Sequence, residues 1–523
     1  MRQLGKTRLS MAKPAQEMHV VRLRIQTTEY EESLFAKRFH ALSHVHNVMV
    51  KQAKKRIIRL EHDHEHQEMR AAYVRLLKLP KESVTPDIEK QKKALSRQMN
   101  RNCQKYGISE YDFQKYLAAC GRQYRTLLSS QQVQKEASRV FRSVEHYLYG
   151  KGKEIHFKPY RNFNTIGGKS NRNGIRFDPK SRMIRWLGDT FPCLLPKDRA
   201  SRDYVLEALN ADIAYCDLKR LMFPNGWHYY VVIVLRGPAP RKLTVGTGTT
   251  GIDPGVSTMA CVSDEQASLF ELAPGAKKYN PAIRKLQQQM EASKRLSNPD
   301  RYRADGTYIK GSQGQWTFSK RYFRVRDRLK SLYRQKTAYT QDSHRQQINR
   351  LLADSRTFIV EDMNYLALAK KSKNTIRQDH PSIVTDKKGC QRVVYKYRRR
   401  KRFGKSMNSR SPGAFLSRLE EKAALYGGTV IRIHTKEFRA SQYDHAADTR
   451  QRIPLTQRSK IVDGHKVQRD LYSAFLIRNT DDSLNHPDRE KCFAEFPGFL
   501  RMQRTCIDTM KQNHQSMPQC FGF

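Results

Sequence analysis

The stretch that most constrains what this chain can fold into is Gly251–Val262, an apolar run of the kind that makes a buried strand, with one acid, Asp253, inside it. A carboxylate in such a strand is costly unless its charge is offset, and a divalent cation is the simplest offset. The anomaly recurs twice. Arg356–Met363 is an apolar run that closes on Glu361 and Asp362, and Val467–Ile477 reads as an apolar helix with Asp470 near its start. Taken singly, Asp253 in Asp-Pro-Gly could form a turn, Glu361 could pair with an arginine, and Asp470 could cap a helix. Together, in the order Asp253, Glu361, Asp470, they are candidate catalytic and metal-ligating residues. Asp362 is the neighbouring ambiguity, but on an extended strand it faces away from Glu361.

Charge points to the partner. The 523 residues carry 99 Lys and Arg against 50 Asp and Glu, a formal charge of +49. A polyanion that neutralises this excess, namely nucleic acid, is the expected ligand. The nine cysteines are scattered without a single Cys-x-x-Cys pair, which predicts reduced thiols and argues against a disulfide framework or zinc ribbon. Met1–Lys13 is basic without an apolar core, and no run of about 18 apolar residues occurs. These features predict a soluble, cytoplasmic protein with no membrane partner.

The length predicts two to four domains. Residues 19–26 alternate as a half-buried strand does. From Glu31 to Leu148 the periodicity is helical, with Leu34, Phe35, Phe39, Leu42, Val45 and Val48 at spacings of three and four. Within it, His62, His64 and His66 suggest at most a pair of metal ligands, His62 and His66, on a polar face. Short aromatic and β-branched runs follow at 155–157, 174–177, 183–186 and 227–235, and with residues 19–26 they predict a small β-barrel. Domain boundaries are therefore expected at 1–30 and 150–245 for the barrel, 31–149 for an all-helical insertion, 246–436 and 466–523 for a second α/β domain and its tail, and 437–465 for an irregular insertion.

In that second domain, strands at 251–262 and 269–272 precede helices over 281–296 and 317–352. The strand bearing Glu361, a helix over 412–426 ending at Gly427, a strand over 429–434 and the helix of Asp470 complete it. Between residues 364 and 410 lie 15 Lys and Arg and two Asp, with Tyr and Phe interleaved around Val393–Phe403, a composition suited to bases as well as phosphates. No periodicity is evident after Asn479. The order of elements describes an RNase H-like layout, in which two acid-bearing strands lie side by side and a helix start brings the third acid to the same edge. Three carboxylates there suit two Mg²⁺ ions, one activating water and one stabilising the leaving 3′ oxygen, for phosphodiester hydrolysis.

At these motifs the chain resembles the TnpB family, transposon-encoded RNA-guided nucleases related to compact type V CRISPR effectors. Gly251–Gly255 with Asp253 matches the family's first RuvC motif, Ile359–Asn364 with Glu361 its second, and Arg469–Phe475 with Asp470 its third. Ser411–His434 resembles the helix and strand between motifs two and three. The resemblance implies a RuvC nuclease domain, a wedge β-barrel with a helical recognition insertion, a guide RNA partner, a target double-stranded DNA partner, a short target-adjacent motif, and a prokaryotic, nucleoid-associated setting. It also marks a departure. The family's four-cysteine zinc ribbon would fall in 437–465, where no cysteine stands, so zinc is not expected. His434, Asp444, His445 and His465 are the residues from which a substitute site would have to come. The implied activity is guide-RNA-dependent DNA cleavage. The alternatives are RNA-guided binding or repression without cleavage, and a guide-independent structure-selective nuclease.

Overall fold

A computed structural model describes residues 17–80, 83–241, 243–303, 307–309, 311, 314–369, 376–377, 381–385, 391–394, 397–398, 403–454, 456–512, 518 and 521–522. The chain is a mixed α/β protein of two compact units, Met1–Arg241 and Lys242–Phe523.

In the first unit, β1 (Met18–Ile25) buries every second residue, including Val21, Leu23 and Ile25. The helical insertion then follows as α1 (Glu29–Glu61), α2 (His64–Leu77), α3 (Pro86–Lys105), α4 (Glu110–Arg122) and α5 (Ser130–Leu148). Thr28 and Glu31 form a capping box that starts α1, and Asp63 accepts the His66 amide to start α2. The chain thus breaks at His62–Asp63. The His62/His66 pair does not share a helix, and His66 is buried with neither ring nitrogen bonded.

The chain returns through β2 (Thr165–Ile166), β3 (Arg176–Asp178), β4 (Met183–Trp186), β5 (Asp189–Leu194), α6 (Arg199–Ala208), β6 (Ile213–Phe223) and β7 (Gly226–Arg236). Their sheet has the order β2-β6-β7-β1-β5-β4-β3. Among the described residues β2 and β3 do not pair with each other, although β3 approaches β6, so the expected barrel is a curled sheet with open edges. Residues 155–157, expected as a strand, have no regular structure. The long strand β6 was not anticipated. Its inward residues Ala214, Cys216 and Leu218 are followed in phase by Arg220, a charge that interrupts the apolar alternation.

The second unit is built on β8 (Gly248–Pro254), β9 (Thr258–Val262) and β10 (Ala267–Glu271), an antiparallel meander. Helices α7 (Asn280–Leu296) and α8 (Lys320–Asp354) lead to β11 (Ser355–Glu361). Beyond α9 (Tyr365–Ala369), the basic stretch contains short pairings of β12 (Ile376–Arg377) with β15 (Tyr397–Arg398) and of β13 (Ser382–Thr385) with β14 (Gln391–Val394). Much of that stretch, including 399–402, lies outside the described residues. Helices α10 (Gly404–Arg410) and α11 (Pro412–Leu425) then lead to β16 (Thr429–Ile433). The five-stranded sheet has the order β10-β9-β8-β11-β16, with β11 parallel to both β8 and β16.

The period of two along these strands separates two cores. Ile252, Phe358 and Val360 face α8 and α11 through Leu352, Phe415 and Leu419. Ala260, Val262 and Ile359 face the other way, toward Leu471, Phe475, Phe496 and Phe499. Each of these side chains except Ala260 contributes about 1.5–3 kcal/mol by burial.

The described residues of 437–465, expected to be irregular, include regular elements: α12 (Thr435–Phe438), the pair β17 (Tyr443–Asp444) and β18 (Thr449–Arg450), and the hairpin β19 (Ser459–Val462) with β20 (His465–Gln468) lead into α13 (Arg469–Arg478). The tail after Asn479 contains α14 (Arg489–Gln512), which buries Cys492, Phe496, Phe499 and Gln503. His445 sits among Tyr472, Phe475, Phe493 and Phe496, with ring centroids 4.8–6.1 Å away, and its Nδ1 is 2.7 Å from the Tyr472 hydroxyl. Asp444 accepts the amides of Ala446 and Ala447. The segment is therefore held by aromatic packing and turns, and His445 with Asp444 is spent on that packing.

Candidate active site

The register places two of the three acids side by side. Ile252 on β8 is opposite Val360 on the parallel strand β11, so Asp253 and Glu361, one step further along each strand, meet at the same end of the sheet. Glu361 is in phase with Ile359 and Asp253 with Gly251, so both carboxylates point to the face covered by α13. That helix seats directly on β8: a Cβ at Gly251 would overlap the Ala474 carbonyl and the Arg478 amide. Asp470 lies in the first turn of α13, which Gln468 caps by accepting the Leu471 amide at 2.6 Å.

The electrostatics follow from this arrangement. Asp253 is held well above the ordinary carboxylate range, by burial first, then by the charges of Glu361 and Asp470, with Arg469 opposing. Glu361, only 7% exposed, is pushed up to about 7 by burial, with the Thr435 side chain opposing. A half-buried and a buried acid that repel each other are costly to ionise together, and a cation beyond Arg469 would lower that cost.

Asp470 already has cations. Arg469 Nε and Nη2 lie 3.0 and 2.9 Å from its Oδ1, and Arg458 Nη1 is 3.9 Å from its Oδ2. Arg469 is itself buried and donates to the Gln457 carbonyl at 3.2 Å. The third acid is thus close enough to act on Asp253 electrostatically, but its carboxylate is engaged by guanidinium. Among the described residues no group of three or more His, Cys, Asp or Glu side chains is disposed to hold a metal ion. The donor set nonetheless suits a hard cation: it is all oxygen, acidic and crowded.

Asp362 turns away from this edge, its Oδ1 3.2 Å from Arg432 Nη1. Sequence reasoning missed two residues here. Arg469 was hidden because its role depends on the side-chain turn that brings it onto the adjacent Asp470. Tyr365 donates to the Gly255 carbonyl at 3.3 Å, and its phenol is pushed up by burial and by the Asp253 charge. It stands just beyond Glu361 in sequence, and position alone was its only signal.

No family model matches the chain, and no curated protein matches it. Among the solved structures it is similar to are Cas12 complexes. One is the Cas12f1–sgRNA–target DNA complex, at 9% identity and a TM-score of 0.40, covering 89% of this chain and 99% of that one. A CRISPR-Cas12f ternary complex matches at 11% identity and 0.26, covering 86% and 82%. The Cas12i1 R-loop complex before target DNA cleavage matches at 8% and 0.25, covering 80% of this chain and 56% of that chain. At such scores the likeness assigns neither activity nor partner. Among the described residues no helix is long and apolar enough to cross a membrane.

Proposed function

We propose that this chain is an RNA-guided DNA endonuclease with a single RuvC-like, RNase H-like site, in which Asp253, Glu361 and Asp470 hold Mg²⁺. It binds a structured guide RNA, recognises a short motif beside the target in duplex DNA, and leaves sequence reading to guide pairing. The observation that carries the reading is the mutually repelling pair Asp253, half-buried, and Glu361, buried, at one end of a parallel strand pair, in a chain of +49 charge. Bound Mg²⁺ would supply Lewis-acid activation of water and stabilisation of the leaving oxygen. The protein's own part is to hold two carboxylates against their repulsion and to release Asp470 from Arg469, a guanidinium suited to a DNA phosphate.

The test is to purify the chain with co-expressed flanking RNA, sequence what it retains, and assay plasmid nicking in Mg²⁺ and in EDTA. Guide-dependent, EDTA-sensitive nicking that Asp253→Ala abolishes, with DNA binding kept, is the expected result. Absence of any discrete bound RNA overturns the RNA-guided part, and nicking that survives Asp253→Ala overturns the site. A second reading, RNA-guided binding without cleavage, is favoured by the engagement of Asp470 with Arg469. Target binding without Mg²⁺-dependent nicks would select it.

A further inference from the structure

A feature outside the carboxylate edge points to a second contact with nucleic acid. Helices α7 and α8 form an antiparallel hairpin: Lys336 Nζ donates to Asn280 Oδ1 at 2.9 Å, Gln287 donates to the Tyr333 hydroxyl at 3.0 Å, and the Ser293 and Ser319 hydroxyls are 2.9 Å apart. Tyr339 marks where the hairpin leaves the body, because its hydroxyl accepts the Gly275 amide at 2.8 Å just past the end of β10. That end is level with the acids, since Glu271 pairs with Thr258 and the next residue, Met259, pairs with Pro254 beside Asp253. The part of α8 before Tyr339 therefore projects about 30 Å beyond the acidic end of the sheet, at 1.5 Å per residue.

The tip of this hairpin is a row of rings. Tyr308 stacks on Trp316 at 5.7 Å, Trp316 on Phe318 at 6.5 Å and Phe318 on Tyr322 at 4.5 Å, all within 30° of parallel. Asn298 ties the row down by bonding both the amide and the carbonyl of Thr317. Lys294 and Arg301 lie 4.0 and 4.3 Å from the Trp316 ring. A small core accounts for Trp316 and Phe318, which are partly buried. It does not account for the open side of Tyr308, 45% exposed although it also meets Tyr302 edge-on at 6.1 Å, or for the exposed Arg303, Lys320, Arg321 and Arg324 on the same tip, which among the described residues outnumber the acids there, Asp300 and Glu291.

We propose that this tip binds single-stranded DNA by stacking a base on Tyr308 while the surrounding cations take phosphates. Aromatic rings interleaved with cations are what sequence-tolerant single-strand binding requires. The choice of DNA rests on the nuclease reading above: the tip stands about 30 Å beyond the acids, so a single strand held here can run back along the hairpin to reach them.

The test uses the full chain with a single-stranded DNA carrying 5-iodouracil, irradiated without metal, and mass spectrometry to locate the cross-link. The expected cross-link is at Tyr308. It persists in Tyr308→Phe and falls at least about fivefold in Tyr308→Ala and in Arg321→Gln/Arg324→Gln. Unlabelled single strand competes and duplex does not. Cross-links only elsewhere, a yield indifferent to Tyr308→Ala, or RNA of the same sequence competing better than DNA would each overturn the proposal. Plasmid cleavage keeps the two readings separate. Asp253-dependent cutting without a Tyr308 cross-link removes the tip alone. A DNA-specific Tyr308 cross-link with cutting indifferent to Asp253→Ala keeps the tip and removes the carboxylate site alone.

Discussion

Each unit of this protein buries charge, and they deal with it in opposite ways. In the first, Arg220 is fully buried, yet its guanidinium donates to the Phe163 carbonyl at 3.0 Å and to the Tyr160 hydroxyl and carbonyl at 2.8 Å, while Phe39, Tyr160 and Trp227 stack around it at 4.2–4.4 Å. Arg38 meets Asp189 and the Trp186 ring, though its Nε and Nη1 are left without a hydrogen-bond partner. In the second unit, the half-buried Asp253 and the buried Glu361 each face a like charge. The arrangement around Arg220 is complete without a ligand, and the acidic pair gains stability from a proton or a cation. Buried charge that a fold fails to neutralise is where chemistry is to be expected.

The largest test of that contrast is at the unsettled pair. Asp253→Asn should lower Mg²⁺-dependent nicking by more than the 10–100-fold typical of an outer-shell partner, while raising the thermal midpoint of the metal-free protein at pH 8, because one repelling charge is gone. A lowered midpoint would mean the carboxylate is structurally satisfied, contrary to the contrast. Arg220→Ala should behave in the opposite sense. Loss of three hydrogen bonds and a stacked side chain destabilises the first unit by roughly 3–5 kcal/mol, read by denaturant unfolding, with no gain at any pH.

The pH dependence is the next largest. Glu361 titrates near 7 in the fold against an ordinary 4.5, and Asp253 is shifted the same way. A carboxyl whose folded value is raised stabilises fully below its unfolded value and loses that contribution as pH rises through the folded value. Metal-free stability should therefore fall between pH 4.5 and 7.5, by roughly 3 kcal/mol for Glu361. Mg²⁺ should restore stability more at pH 8 than at pH 5, and Glu361→Gln should flatten the slope in thermal melts. Smallest of all, Arg458→Gln should change stability by no more than about 1 kcal/mol, because Arg458 is 3.9 Å from Asp470 and partly exposed. A larger loss would mean that Arg458 shares with Arg469 in holding Asp470.

The elements that carry the acids were legible because a carboxylate interrupts an apolar run in each of β8, β11 and α13. The same reasoning failed where the inward charge was basic. Arg220 broke the alternation of β6, and an arginine there reads as solvent-facing although three rings enclose it. Helix α14 was missed for a different reason. Pro497 and Gly498 interrupt it, yet Cys492, Phe496, Phe499 and Gln503 sit at helical spacing, and only the contact with α13 shows what that stripe is for. The turn of Arg469 onto Asp470 is a rotamer, which no sequence pattern encodes.

One more consequence belongs to Gly251. Because α13 rests on β8 where that residue has no side chain, the separation between the strand acids and the helix acid is set by an absence two positions upstream of Asp253. A methyl group there would lift the helix and widen the acidic edge without altering a single carboxylate. Drift in the gauge of this edge would therefore begin at position 251, and a variant carrying alanine there would report how much play the chemistry tolerates.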